Sequence, residues 1–177
     1  MTMRLGTSRR SRIAVLVASL VAVSSFGVAA AATASSHVSV YFLRGEQLAV
    51  VQRPGKTPLD AMRELIAGPT RAEFNHGFRT YVPTNTRVLS VKVANGVATV
   101  DLNERFASGS DQASLLARLA QVVRTLTGPQ GVKKVQFLMN GGIVAARFPG
   151  ISMSRPITLG FLQTPNVGVP EPPNSCA

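Results

Sequence analysis

Two histidines, one cysteine and eight acids are the residues of this 177-residue chain that could carry acid–base, nucleophilic or metal chemistry. Nucleophilic catalysis needs a base within reach of the nucleophile, and neither His37 nor His76 accompanies a G-x-S-x-G turn or a reactive-cysteine motif. His37 stands near the expected mature N-terminus. His76, between Asn75 and Gly77, reads as a solvated loop residue. A metal site needs at least three convergent ligands, and the chain shows no such cluster. Asp101 would lie diagonal to Lys92 on a hairpin face, an exposed ion pair of well under ~1 kcal/mol. Glu104 and Asp111 flank a helix start, where acids complement the helix dipole, an acid–base pair being the alternative. Asn140-Gly141-Gly142 follows a strand without opening a helix, which makes it a turn rather than a phosphate cradle. These readings leave no catalytic residue, no metal and no cofactor to name.

The N-terminus explains part of the charge. Arg4, Arg9, Arg10 and Arg12 precede an uncharged run from Ile13 to Ser36, and Ala32-Thr33-Ala34 offers a cleavage site between Ala34 and Ser35. Residues 1–34 are expected to be a signal peptide, with an uncleaved membrane anchor as the alternative. Ser8-Arg9-Arg10 leaves both the general and the twin-arginine export routes open. Cleavage would lower the net charge from +11 to +7. The remaining cations, among them Arg53, Arg79, Lys133 and Lys134, are spread over several elements. Those four mark a candidate surface for anionic wall polymers or lipid headgroups. Nucleic acid is not an expected partner, because an exported chain with ten aromatics and no stacking pattern offers no platform for bases.

The elements that would position these residues are legible from turns and caps. His37 to Arg53 reads as a hairpin about Gly45-Glu46, with Val40 facing Val51 and Phe42 facing Ala49. Thr57, Pro58 and Asp60 open a helix with Leu59, Met62, Leu65 and Ile66 on one face, stopped by Gly68-Pro69. A long irregular connection, Thr70 to Pro83, holds a short Thr70-to-Glu73 capping signature. Asn95-Gly96 centres a second hairpin, pairing Val93 with Ala98, Val91 with Val100 and Leu89 with Leu102. A second helix starts near Ser110 with Leu115, Leu116, Leu119, Val122, Val123 and Leu126 in one stripe, Arg118 and Arg124 lying away from its centre. Val132 to Met139 is a further strand. Residues 164–177 form a Pro-rich flexible tail carrying Cys176. Two helices over one small sheet make a two-layer α+β domain, mainly antiparallel, over residues 35–163.

In this order the pieces resemble the GerMN (sporulation and spore germination) family. The resemblance rests on Val40-Tyr41-Phe42, on Leu65 to Thr70 with Gly68-Pro69, and on Tyr81-Val82-Pro83. It continues through Asn95 and Gly96 to Leu102 with Asp101, then Ala120 to Val123, Thr125 to Thr127, and Val132 to Phe137. It closes on Ser154-Arg155-Pro156-Ile157. It implies a fold similar to ring-building domains and a non-catalytic, exported module that binds a protein partner in the bacterial envelope. A homo-oligomer is a further expectation. The chain departs from the family in having one copy rather than a tandem pair and no lipobox cysteine. Beside that reading stand a binder of anionic wall or membrane components and, third, an envelope hydrolase, which would require convergent polar side chains in one deep pocket.

Overall fold

His37–Arg44 (β1) and Gln47–Pro54 (β2) pair antiparallel around Gly45-Glu46, with Val40 opposite Val51 and Phe42 opposite Ala49, as the turn dictates. A computed structural model describes residues 36–109, 111–128, 131–144 and 151–162. The segment 1–34, the cleavage site Ala34–Ser35, the tail 164–177 with Cys176, and Ser110 lie outside the described residues. Among those described, no helix is long and apolar enough to cross a membrane.

Thr57 caps Pro58–Ala67 (α1) in a full capping box: its hydroxyl accepts from the Asp60 N–H, and Asp60 accepts from the Thr57 N–H. Met62 and Leu65 are buried, Leu59 and Ile66 half-buried. Before this helix, Gly55 permits a close approach. A Cβ there would stand 2.9 Å from the Asp60 Cβ and 3.0 Å from a Val38 methyl. The Thr70 signature makes a helix of its own, Arg71–Asn75 (α2), with a second capping box through Glu73. Phe78–Arg79 (β3) then pairs with Arg44 and Leu43.

Val88–Ala94 (β4) and Val97–Leu102 (β5) form the second hairpin about Asn95-Gly96, both at positive φ as the turn requires. Val93–Ala98 and Val91–Val100 pair as expected, but Leu102 faces Val88 rather than Leu89. The cause is at the open end. The Arg87 N–H donates to Asn103 Oδ1 and the Asn103 N–H donates to the Arg87 carbonyl. Those bonds hold Arg87 opposite Asn103, one residue out of step with the turn, and Leu89 bulges out, 49% exposed.

Asp111 caps Gln112–Leu126 (α3) by accepting from the Ser114 N–H at 2.7 Å. The expected stripe is buried throughout, but so are Arg118, Gln121 and Thr125. Arg118 lies beside the centre of that stripe, as expected, yet its guanidinium is drawn inward: it donates to the carbonyls of Phe106 and Ser108, both at 2.6 Å. Burial pulls its pKa down, and the nearby Asp111 charge opposes that. Lys134–Met139 (β6) follows, shorter than expected, and lies parallel to β5. Gly142–Ile143 (β7) turns back on it, and Leu159–Leu162 (α4) ends the described chain.

The α+β architecture is as expected, with β5–β6 the parallel exception, but the strands divide into two sheets, β2-β1-β3 and β4-β5-β6-β7. The division has a local cause. Where β3 ends, α3 occupies the edge of β1, so the second hairpin does not add there. One core joins both sheets, with Phe106 stacked on Phe137 at 6.0 Å between ring centroids.

Candidate interaction surface

The strand parity of β2 turns Arg53 toward the core side, beside Val51 and opposite Val38. Its guanidinium passes the Phe42 ring at 5.9 Å and reaches the end of α1 and the start of α2. There Nη2 donates to Glu73 Oε2 at 2.6 Å and to the Gly68 carbonyl at 3.3 Å. Nε, buried and without a hydrogen-bond partner, stands 3.8 Å from Glu64. Glu73 Oε2 also accepts from the Thr70 N–H, so one carboxylate caps α2 and ties it to the sheet. Arg53 is thereby committed inside the domain.

Arg79 sits on the other side of α2. Its Nη1 donates to the carbonyls of Phe74 and Phe78 at 2.7 Å, and the guanidinium lies 3.7 Å from the Phe74 ring centroid. Arg44 stands over Phe78 at 5.7 Å, and Arg124 of α3 over Tyr41 at 5.1 Å. Three arginines are thus laid on aromatic rings around the end of the first sheet. Phe74 and Tyr81 remain 52% and 49% exposed. Held by carbonyls and rings, Arg79 has little rotamer freedom left to lose on binding.

The other candidate residues take structural places. The Gly68 N–H bonds the Leu65 carbonyl and, with Pro69, ends α1. The Pro83 carbonyl accepts from the Thr86 hydroxyl and N–H. The Gly96 carbonyl accepts from the N–H groups of both Lys133 and Lys134, whose side chains are exposed. Asp101 does not pair with Lys92; its Oδ1 accepts from the Gly141 N–H at 3.0 Å and holds the β6–β7 turn. Arg155 and Pro156, both exposed, lead into Ile157, which bridges to Val135 by two backbone bonds of 2.8 Å. Of the four candidate cations, Arg53 and Arg79 lie on the first sheet, Lys134 opens β6 of the second, and Lys133 precedes it.

Gln121 and Thr125, part of the family pattern in the sequence, take a role there that the pattern itself did not assign to them. The Gln121 amide accepts from the Tyr81 N–H at 3.0 Å and donates to the Tyr41 carbonyl at 3.2 Å, and Thr125 Oγ1 accepts from the Tyr41 N–H. A signal was present: Arg118, Gln121 and Thr125 recur at i, i+3 and i+7, a polar line beside the apolar stripe.

As to chemistry, His37 and His76 are exposed, and His76 is the C-cap of α2. Among the described residues no three His, Cys, Asp or Glu side chains converge. A depression of about 570 Å³ at the start of α1 is lined by Lys56, Asp60, Arg63 and Glu64 among others. Asp60 there is occupied in capping, and three N–H or hydroxyl donors, led by the Lys56 N–H, hold its pKa below the usual carboxylate range.

Comparison with known proteins places the chain. Residues 39–144 match the family model Germane, described as sporulation and spore germination. No curated protein sequence matches the chain. Among solved structures it is similar to the "Putative Lipoprotein" of Clostridium perfringens, at 19% identity and TM-score 0.52 over 71% of this chain and 88% of that one. It is similar also to the tandem GerMN domains of the sporulation protein GerM from Bacillus subtilis, at 19% identity and TM-score 0.56, covering 70% of this chain and 46% of that one. The first GerMN domain of the same protein gives 21% identity and TM-score 0.53, over 70% and 94%.

Proposed function

Since the chain belongs to the Germane family of sporulation and spore germination domains, we propose that it is an exported, non-catalytic binding and scaffolding module of the bacterial envelope. Its partner is a protein, and its service is to sporulation or germination. The arginine–aromatic surface of α2 and β3 carries the binding reading. Exposed aromatics beside pre-positioned arginines are the residue types that dominate protein interfaces. The family's motif residues, by contrast, are occupied in caps, turns and sheet edges. Export is supported by the arginine-flanked apolar run and the Ala34–Ser35 site, and the envelope by the likeness in fold to the Clostridium perfringens protein.

A photo-crosslinking residue placed at Phe74 or Tyr81 in the native host tests this. The expected result is a protein adduct of defined mass, lost on Arg79→Ala. No adduct from either position, with the chain present and folded, overturns the reading. The mass of the protein recovered from medium and from membranes tests export. A species beginning at Ser35 supports cleavage, and a full-length membrane species supports the anchor.

Lys133 and Lys134 favour a second reading, a binder of anionic wall polymer or headgroups. Both are exposed, and Asp101 in the same sheet is engaged elsewhere. Binding to isolated wall material that weakens with salt and with Lys133→Glu/Lys134→Glu supports it, and salt-independent binding removes it.

A further inference from the structure

Two long strands end the sheets, β2 in the first and β4 in the second. Proteins blunt exposed edges with bulges, charges or proline, and β4 carries two such devices, the Leu89 bulge and Lys92. Strand β2 carries neither between Leu48 and Gln52 and keeps an unbroken register over eight residues. Its hydrogen-bond parity follows from the turn. The pair flanking a two-residue turn, Arg44 and Gln47, is a hydrogen-bonded one. Every second residue of β2 from Gln47 therefore bonds β1, while Leu48, Val50 and Gln52 turn their N–H and C=O outward.

The matching residues of β1 confirm that parity. Tyr41 turns its N–H and C=O away from β2, to Thr125 and Gln121, and Leu43 pairs with Arg79 of β3. The chain thus supplies partners for the outer edge of β1. Among the described residues no backbone group bonds the outer edge of β2.

We infer that the outer edge of β2 pairs antiparallel with the same strand of a second copy of this chain, Val50 opposite Val50, fusing two three-stranded sheets into one. That register uses all three outward residues of each copy and sets Leu48 against Gln52, so no charge meets its like along the seam. It also brings Glu46 of the turn against the Pro54-to-Lys56 segment of the other copy. Glu46 and Lys56 are both exposed and form no ion pair among the described residues, so opposite charges meet at each end of the seam. An isologous contact of this kind closes as a dimer and leaves no free copy of the edge.

The full-length chain carrying Cys176→Ser and Val50→Cys tests the inference under mild oxidation. A disulfide-linked dimer is expected, because directly opposed residues of a hydrogen-bonded pair are about 5.5 Å apart at Cα, within disulfide range. Gln52→Cys in the same background is expected to stay monomeric alone and to couple when mixed with Leu48→Cys, which fixes the register. Val50→Lys sets like charges at the two-fold axis. It is expected to weaken the dimer about tenfold or more by sedimentation equilibrium, with an unchanged circular dichroism spectrum because the side chain is 48% exposed. A chain monomeric at every concentration overturns the inference. So does a dimer that Val50→Lys leaves intact, or coupling of Val50→Cys to a different protein.

Discussion

Gln121 of α3 holds Tyr41 of β1 where β3 stops: its amide nitrogen donates to the Tyr41 carbonyl at 3.2 Å, and its oxygen accepts from the Tyr81 N–H. A helix side chain thus stands in for a strand. The side chain is wholly buried, so no water is available to replace it. Gln121→Leu orphans one carbonyl and one N–H and is expected to cost about 3 kcal/mol, and Thr125→Val about 1–2 kcal/mol. Urea unfolding checks both, as a fall in midpoint at constant slope.

The Leu89 bulge separates two leucines that an unbroken hairpin would make partners. Leu102 is 1% exposed and Leu89 49%. Leu102→Ala is expected to cost about 2–5 kcal/mol, whereas Leu89→Lys should stay within about 0.5 kcal/mol of the parent. Asn103→Ala, which removes the side-chain half of the bond pair with Arg87, is expected to loosen the bulge. Faster amide exchange at the open end of the hairpin, with the Asn95-Gly96 end unchanged, would show it.

Arg53 fastens α2. Its side chain is 13% exposed and that of Glu73 18%, so this pair is less screened than a surface one. Arg53→Ala is expected to destabilise the fold by about 1–2 kcal/mol and to raise exchange selectively at Arg71–Asn75. Arg53→Lys should restore only part, since a compact ammonium lacks the planar guanidinium that lies by the Phe42 ring and reaches Glu64 as well as Glu73.

The two capping aspartates contribute to the acid limb of stability. The Lys56 N–H and then Thr57 lower the pKa of Asp60, and the Ser114 side chain and N–H lower that of Asp111. A carboxylate whose folded pKa is depressed contributes fully above its unfolded value, near 3.9, and loses that contribution as pH falls through the lower folded value. Their joint contribution should therefore be level from neutral pH to about 4 and drop below it. Asp60→Asn and Asp111→Asn, measured together by melting temperature against pH, should flatten that drop.

Much of this fold is written in short-range chemistry. The Gly45-Glu46 and Asn95-Gly96 turns, the Thr57 box and the leucine stripe each involve residues within a few positions of one another, and each appears where its local signals place it. The features that local signals do not announce have a different origin. Arg118 is buried because two carbonyls ten and twelve positions away need a donor. Thr125 is buried because its partner, Tyr41, lies 84 positions away. Arg53 stands among exposed cations in the sequence because nothing local announces that α2 will bring Glu73 to it. The Leu89 bulge comes from two registers, one set by the turn and one by Asn103, that disagree by a residue. The interaction surface was half legible. Arg79 stood out as a charge, while the Phe74 ring beneath it depended on a helix too short to show a period.

The parallel pairing of β5 with β6 also sets a clock. A chain made from its N-terminus completes each hairpin from neighbouring residues as they appear. Ala98, Val100 and Leu102 gain Val135, Phe137 and Met139 beside them only after the whole of α3 has been synthesised. Until then three apolar side chains of β5 lack their neighbours on one flank, and non-local pairing of this kind is the slow step in assembling such folds. The nascent chain therefore keeps that flank of β5 open through most of its synthesis and closes it only when residue 139 has emerged.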